Sequence, residues 1–364
     1  MVSKSSKHKP DIILLSVTVL LILFGLLMVY NSSPVTALRD FGDPFYLARL
    51  QVIWAVVAGV AGVFAYKVNY KILERFAPFL VIIAVFMLLL VFIPGLGVEI
   101  YGARRWISVG GIFSIQPAEF AKLAYVVYLA SWLSKKVKLG PFIFVTILIS
   151  AIVLLQRDLG TTVVISATGL LVYFLAGAPL THFFTLIPVG FITAAIFIFG
   201  SEYRRARFIS FLNPTTDTQG SGYHINQILI ALGSGGIFGV GLGQSKQKYG
   251  YIPEVTTDSI FSVIGNELGF IGAVILIIIF LILVLRGFQI AIHTNDKFGK
   301  ILAAGISSWI GIQTIINLAG MVALLPLTGV PLPFISYGGS SLLATVIAVG
   351  LLLNISRFTT KNIK

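Results

Sequence analysis

Ten separate runs in this chain are apolar and long enough to cross a lipid bilayer, and that repetition decides the fold class. A spanning helix needs about 20 mainly apolar residues. The runs fall, with approximate edges, at 12–31, 47–66, 77–95, 117–134, 141–156, 160–177, 182–200, 259–285, 301–325 and 338–356. They imply an all-α polytopic membrane protein, one integral membrane domain over 1–364. Only 11% of the residues are charged, against about a quarter in a soluble domain, so little is left over for a soluble module. The first run follows Lys4, Lys7 and Lys9, as a signal peptide's apolar core would. It is too long for one, and no small-residue cleavage site follows, so it reads as an uncleaved anchor.

The formal net charge is +13. Nucleic-acid binding would gather the bases in one soluble module, and the runs leave no room for one. Orientation explains the charge better. With the N-terminus in the cytoplasm, fifteen bases face Asp11, Glu74 and Asp296 on the inner side, and ten bases face eight acids outside. That is the positive-inside pattern. Ten helices then run N-in and C-in, with a cytoplasmic tail at 1–11. Outer loops lie at 96–116, 201–258 and 326–337, the large one between helices 7 and 8.

The chain has no Cys, which excludes disulfides, thiolate metal sites and a Cys nucleophile. His8, His182, His224 and His293 are scattered without ligand spacing, so no metal site is assigned. The glycine cluster at 233–243 lacks the Lys-Ser/Thr of a phosphate loop; it suits a re-entrant or interfacial segment where backbones pack closely.

The longest polar reach ends at Thr256, Thr257 and Asp258, just before an apolar run. Asp258 has two readings of equal standing: an N-cap for that helix, or a general base at the membrane surface. The helix dipole would favour its ionised form. Ser262, Gly265 and Asn266 share its helical face and could line a cavity. Glu119 and Lys122, in QPAEFAKL, are neighbours at a spacing of three. Inside a span such charges pair or line a polar cavity, and Glu267 is a third charge in the same position. Arg104 and Arg105, in GARRWI, offer planar forks suited to pyrophosphate. Arg204, Arg205 and Arg207 form a second outer cluster suited to lipid headgroups. Asp158, in a short outer turn, pairs with Arg157 or caps the next helix. Lys246 and Lys248 are further candidates for a pyrophosphate.

Taken together, GARRWI, QPAEFAKL, QRDLGTT, FLNP…GSGY, YIPEVTTDSIFSVIGNELG and LPLTGVPLPFISYGGSSLL resemble, in order and over nearly the whole chain, the SEDS family that contains FtsW and RodA. GLGQSKQKYGYIPE looks closer to FtsW and its sporulation relatives. The resemblance implies a peptidoglycan glycosyltransferase that polymerises lipid II, an undecaprenyl-pyrophosphate-linked disaccharide-pentapeptide, on the outer face of the cytoplasmic membrane. A class B penicillin-binding protein is the implied partner. The family's catalytic aspartate matches Asp258, and its substrate-handling residues match Glu119, Lys122, Arg104, Arg105 and Asp158. There are departures: Thr256 stands where His is usual, Ser259 where Phe is usual, Asn266 where Glu is usual, and Arg157 where Pro is usual. No cofactor is evident. A divalent cation is an open option for charge neutralisation, without a clear site. The rival readings are a lipid II flippase and a scaffold that does no chemistry.

Overall fold

The computed structural model describes residues 9–100, 103–109, 113–212 and 221–359. Lys4, Lys7, His8, Asp217, Lys361, Lys364 and most of the FLNP…GSGY motif lie outside the described residues.

Thirteen helices and one small sheet are described. They are α1 (Ile12–Ser32), α2 (Pro34–Phe41), α3 (Tyr46–Lys67), α4 (Lys71–Leu90), β1 (Gly97–Ile100), β2 (Ala103–Val109), β3 (Phe113–Ile115), α5 (Pro117–Leu133), α6 (Leu139–Leu155), α7 (Leu159–Leu175), α8 (Leu180–Phe199), α9 (Glu202–Leu212), α10 (Ser221–Gly235), α11 (Ile260–His293), α12 (Lys297–Met321) and α13 (Gly339–Ser356). Seven of these, α1, α3, α4, α8, α11, α12 and α13, are long and apolar enough to cross a membrane. The helices α6 and α7, at 17 residues, are shorter apolar ones.

The structure corrects the sequence reading in three places. The protein is not purely α: loop 96–116 folds into an antiparallel sheet of order β1-β2-β3, with Glu99 opposite Arg104 and Ile107 opposite Ile115. The third apolar run starts its helix six residues early, at Lys71, and stops at Leu90, short of Pro94; proline disfavours helix at the residue before it. The large loop 201–258 is not open chain, since α9 and α10 lie within it.

Aspartates start several helices. Asp11 accepts from the Leu14 amide at 2.8 Å, Asp158 from the Thr161 amide at 3.0 Å and Asp296 from the Gly299 amide at 2.8 Å. Each satisfies one of the free N–H groups at its helix start. At the centre, α12 and α13 are largely buried, while α8 buries none of its residues. Lipid is as apolar as leucine, so close backbone packing does the work of joining spans. Gly62 on α3 and Gly350 on α13 meet in this way: a Cβ on Gly350 would strike the Gly62 carbonyl. The glycine cluster does the same with α11. The amides of Val240 and Gly241 bond the Asn266 and Glu267 carbonyls at 3.0 Å, and those of Phe270 and Ile271 bond Gly236 and Ile237. These bonds bracket Gly269, where α11 breaks its helical geometry at φ 67, a conformation that suits glycine alone. A Cβ on Gly239 or Gly269 would overlap the opposing backbone.

Candidate active site

The turn before α11 carries Asp258. The helix starts one residue later than a cap at Asp258 would require: Ser259 is its cap residue, and no side chain makes a capping bond. The cap reading therefore fails, and so does the expectation that the helix dipole holds the carboxylate ionised. Asp258 is 6% exposed. Burial, helped by the negative charge of Glu254, pushes its carboxyl up to about 7, with Arg207 pulling the other way. Its nearest side-chain donor is the Thr257 hydroxyl, at 3.4 Å. The polar stripe below it does not line a cavity. Ser262 donates to the Ser259 carbonyl at 2.7 Å, Asn266 donates to Ala231 and Ser234 of α10 at 2.9 and 2.8 Å, and Gly265 lies under Leu232.

Loop 326–338 holds this turn from the other side. The Asn317 amide, on α12, donates at 2.8 Å to both the Asp258 and Val330 carbonyls. The Tyr337 amide donates to the Thr256 carbonyl at 2.8 Å, and the Ser336 hydroxyl donates to that of Thr257. One helical turn from Asn317, Gln313 donates to the Pro331 carbonyl at 3.0 Å and accepts from Lys122 Nζ at 2.6 Å and from Trp309 Nε1 at 2.9 Å. Lys122 also donates to Glu119 Oε1 at 2.7 Å, and both are almost wholly buried. The expected pair is present, and it shares α12 and this loop with Asp258. Glu119 Oε2 is buried and has no hydrogen-bond partner among the described residues. Sequence reasoning missed Gln313 and Asn317. Their signal was available: two amides four apart in a span share one face.

Arg104 and Arg105 do not form a joint fork. They are successive residues of β2, and successive strand side chains point to opposite faces. Arg104 Nε donates to Glu99 at 3.0 Å on the exposed side. Arg105 turns the other way, donating to the Arg157 carbonyl and lying 4.0 Å from Asp158. Asp158 accepts from the Thr161 hydroxyl at 2.9 Å as well as from its amide, so it caps α7 and pairs with Arg105 rather than Arg157.

Lys248 is not available to a substrate phosphate. It is 5% exposed, and its ammonium donates to Glu267 at 2.9 Å, Asn31 at 2.7 Å and the Gly243 carbonyl at 2.9 Å. An ammonium has three hydrogens, and all are used. This pair is the answer to the intramembrane charge of Glu267. Lys246 is exposed.

Two residues set aside in the sequence lie beside Asp258. Arg207 acts electrostatically on both Asp258 and His224, so that arginine does more than meet headgroups. His224 Nε2 lies 2.8 Å from the Ser259 hydroxyl. Among the described residues no three acidic or imidazole side chains gather as a metal ion would require.

Comparison with known proteins agrees with this architecture. The cell cycle protein family of FtsW, RodA and SpoVE matches residues 11–361. Stage V sporulation protein E of Bacillus subtilis is 42% identical over 363 residues, covering 98% of this chain and 99% of the relative. A probable peptidoglycan glycosyltransferase FtsW of Geobacter metallireducens is 40% identical over 357 residues, 96% of this chain and 95% of the relative. Among solved structures, a chain of a peptidoglycan synthase complex that coordinates polymerization and crosslinking superposes with a TM-score of 0.78 at 26% identity, covering 95% of this chain and 97% of that one. The rod shape determining protein RodA of Thermus thermophilus gives 0.71 at 26% identity, covering 97% and 98%. The chain belongs to the FtsW, RodA and SpoVE family of cell cycle proteins.

Proposed function

We propose that this chain is a peptidoglycan glycosyltransferase of cell division or cell shape, polymerising lipid II with Asp258 as general base. The observation that carries the assignment of the base is the state of Asp258: buried, outside any ion pair among the described residues, and poised near 7. A base is most useful when its pKa lies near the working pH. Asp258 takes the proton of the acceptor sugar's 4-hydroxyl as that oxygen bonds the donor's anomeric carbon. The bond from that carbon to the pyrophosphate breaks, and the lipid pyrophosphate leaves with the electron pair. Arg207 and Arg105 supply the positive charge that opposes the growing negative charge, the kind of help that is often the largest catalytic term.

The setting follows from the sequence. Its apolar runs and positive-inside charge balance support ten spans with both termini in the cytoplasm of a bacterial inner membrane and the Asp258 turn on the outer face; seven of the described helices are long and apolar enough to cross. A class B penicillin-binding protein crosslinks the strands that this chain makes. The test is reconstitution of the purified protein with labelled lipid II. Polymer supports the enzyme; transbilayer movement without polymer would make it a flippase, and neither would leave a scaffold.

Two further results are expected in the same assay. The initial rate should rise with pH and level off above neutrality, because only the ionised carboxylate accepts a proton. With the midpoint at about 7, the rate at pH 6 should be about one tenth of that at pH 8. A flat profile from 6 to 8 would remove Asp258 as the titrating base. Arg105→Lys should lower both the rate and the melting temperature, since a lysine cannot reproduce its directed contacts to the Arg157 carbonyl and Asp158. Arg104→Lys should stay within about two-fold of wild type, because an exposed pair such as Arg104–Glu99 contributes little. Equal behaviour of the two variants would mean that the opposed faces of β2 do not matter.

A further inference from the structure

The helix α10 reaches into the Asp258 turn with one side chain. His224 Nε2 lies 2.8 Å from the Ser259 hydroxyl, and the Pro253 carbonyl is near enough to act on the ring. Pro253 opens the turn and Ser259 closes it at the start of α11. The imidazole thus bonds the last residue of the segment 253–259, next to Asp258, with the carbonyl of its first residue nearby.

That segment needs a clamp. Glu254 is held at φ 50, in the left-handed region, which is costly for a residue with a side chain. The amides of Thr257 and Ser259 both bond the Glu254 carbonyl, at 3.1 and 3.2 Å. Ser259 is fully buried and stands at a helix start, yet its hydroxyl does not cap the helix. It serves His224 instead. Burial and the charge of Arg207 push the imidazole down to about 4, so it is neutral at working pH and has a single N–H. The charged groups around the pair are Glu254 and Asp258 on the turn and Arg207 on α9.

We propose that His224 is a positioning residue for Asp258, acting through Ser259 to hold the carboxylate against loop 326–338. The inference rests on Asp258 being the base. It is tested on the full-length protein with lipid II, measuring kcat, KM and the pH profile of His224→Leu, His224→Gln, Ser259→Ala and Asp258→Asn. His224→Leu removes the bond to Ser259 and should lower kcat about 10-fold or more, with KM within about two-fold. Its ascending pH limb should move by about half a unit or more, as the surroundings of the carboxylate change. Ser259→Ala, which removes one hydroxyl and is the smaller threat to folding, should change the same quantities in the same direction. An amide carries both a donor and an acceptor, so His224→Gln should recover most of the loss. A merely structural histidine would lower the yield of folded protein and leave the limb in place, and that result overturns the proposal. So does wild-type behaviour of both His224→Leu and Ser259→Ala beside an inactive Asp258→Asn. If Asp258→Asn itself keeps making polymer, the base assignment falls, and this inference with it.

Discussion

Asp258→Asn is expected to abolish polymerisation while the protein folds at least as well as wild type. The two halves of that result come from one environment. Loss of a general base typically lowers a rate by about 10²–10⁴-fold, and the amide keeps the carboxylate's shape without its basicity. Stability moves the other way. The folded carboxyl binds its proton up to about 7, whereas the free side chain releases it near 3.8. Between those values the folded state holds a proton that the unfolded chain has lost. The stabilisation this confers is complete below the lower value and is lost as pH rises through the upper one. Above it, wild type carries a buried charge and the asparagine variant does not. At pH 8 the variant should therefore melt no lower than wild type, and at pH 5, between the two values, the advantage should be clearly smaller. Appreciable polymer from a folded Asn variant would end the assignment. A large drop in melting temperature at pH 8 would show that the carboxylate has a partner that stabilises its charge.

The second large effect is expected inside the bundle. Lys122→Met should destabilise the protein by about 3–5 kcal/mol, the usual cost of stranding one charge of a buried pair. Glu119 is fully buried, and one of its oxygens already lacks a hydrogen-bond partner among the described residues; without the ammonium, the other loses its partner at 2.7 Å. Glu119→Gln strands the ammonium in turn, though Gln313 at 2.6 Å and the Trp309 ring, with its centroid 5.3 Å from Nζ, soften that loss. Combining Glu119→Gln with Lys122→Met removes both charges. The double variant should be more stable than Lys122→Met alone, a coupling that a double-mutant cycle on detergent-solubilised protein reads directly. Strict additivity would mean that the two charges do not sense one another.

What the sequence could reveal here depended on how local the interaction was. Glu119 and Lys122 sit three apart on one helix, and their pairing follows from helical spacing alone. Asp258 stood out as a charge at the boundary between a polar reach and an apolar run. Lys248 and Glu267 pair across 19 residues, and His224 and Ser259 across 35; nothing in the local pattern marks such partners. The sheet at 97–115 was hidden by its shortness, with strands of four, seven and three residues. Missing it had a consequence, because alternation along β2 is what separates Arg104 from Arg105. The role given to Lys248 failed for a related reason: basicity in a polar loop says nothing about whether a buried acid has already claimed the charge.

The seam between the glycine cluster and α11 has a consequence for how this protein can vary over time. When two side chains pack, an enlargement on one can be offset by a reduction on the other, and lineages drift through such compensated pairs. At Gly239 and Gly269 neither partner has anything to give up, because each already lies against bare main chain. No second change elsewhere in the gene can restore room that only the absence of a side chain provides. Positions that carry no chemistry of their own are thus among the least free to wander, and loop 201–258 inherits a fixed anchor point from which its more reactive neighbours are free to diverge.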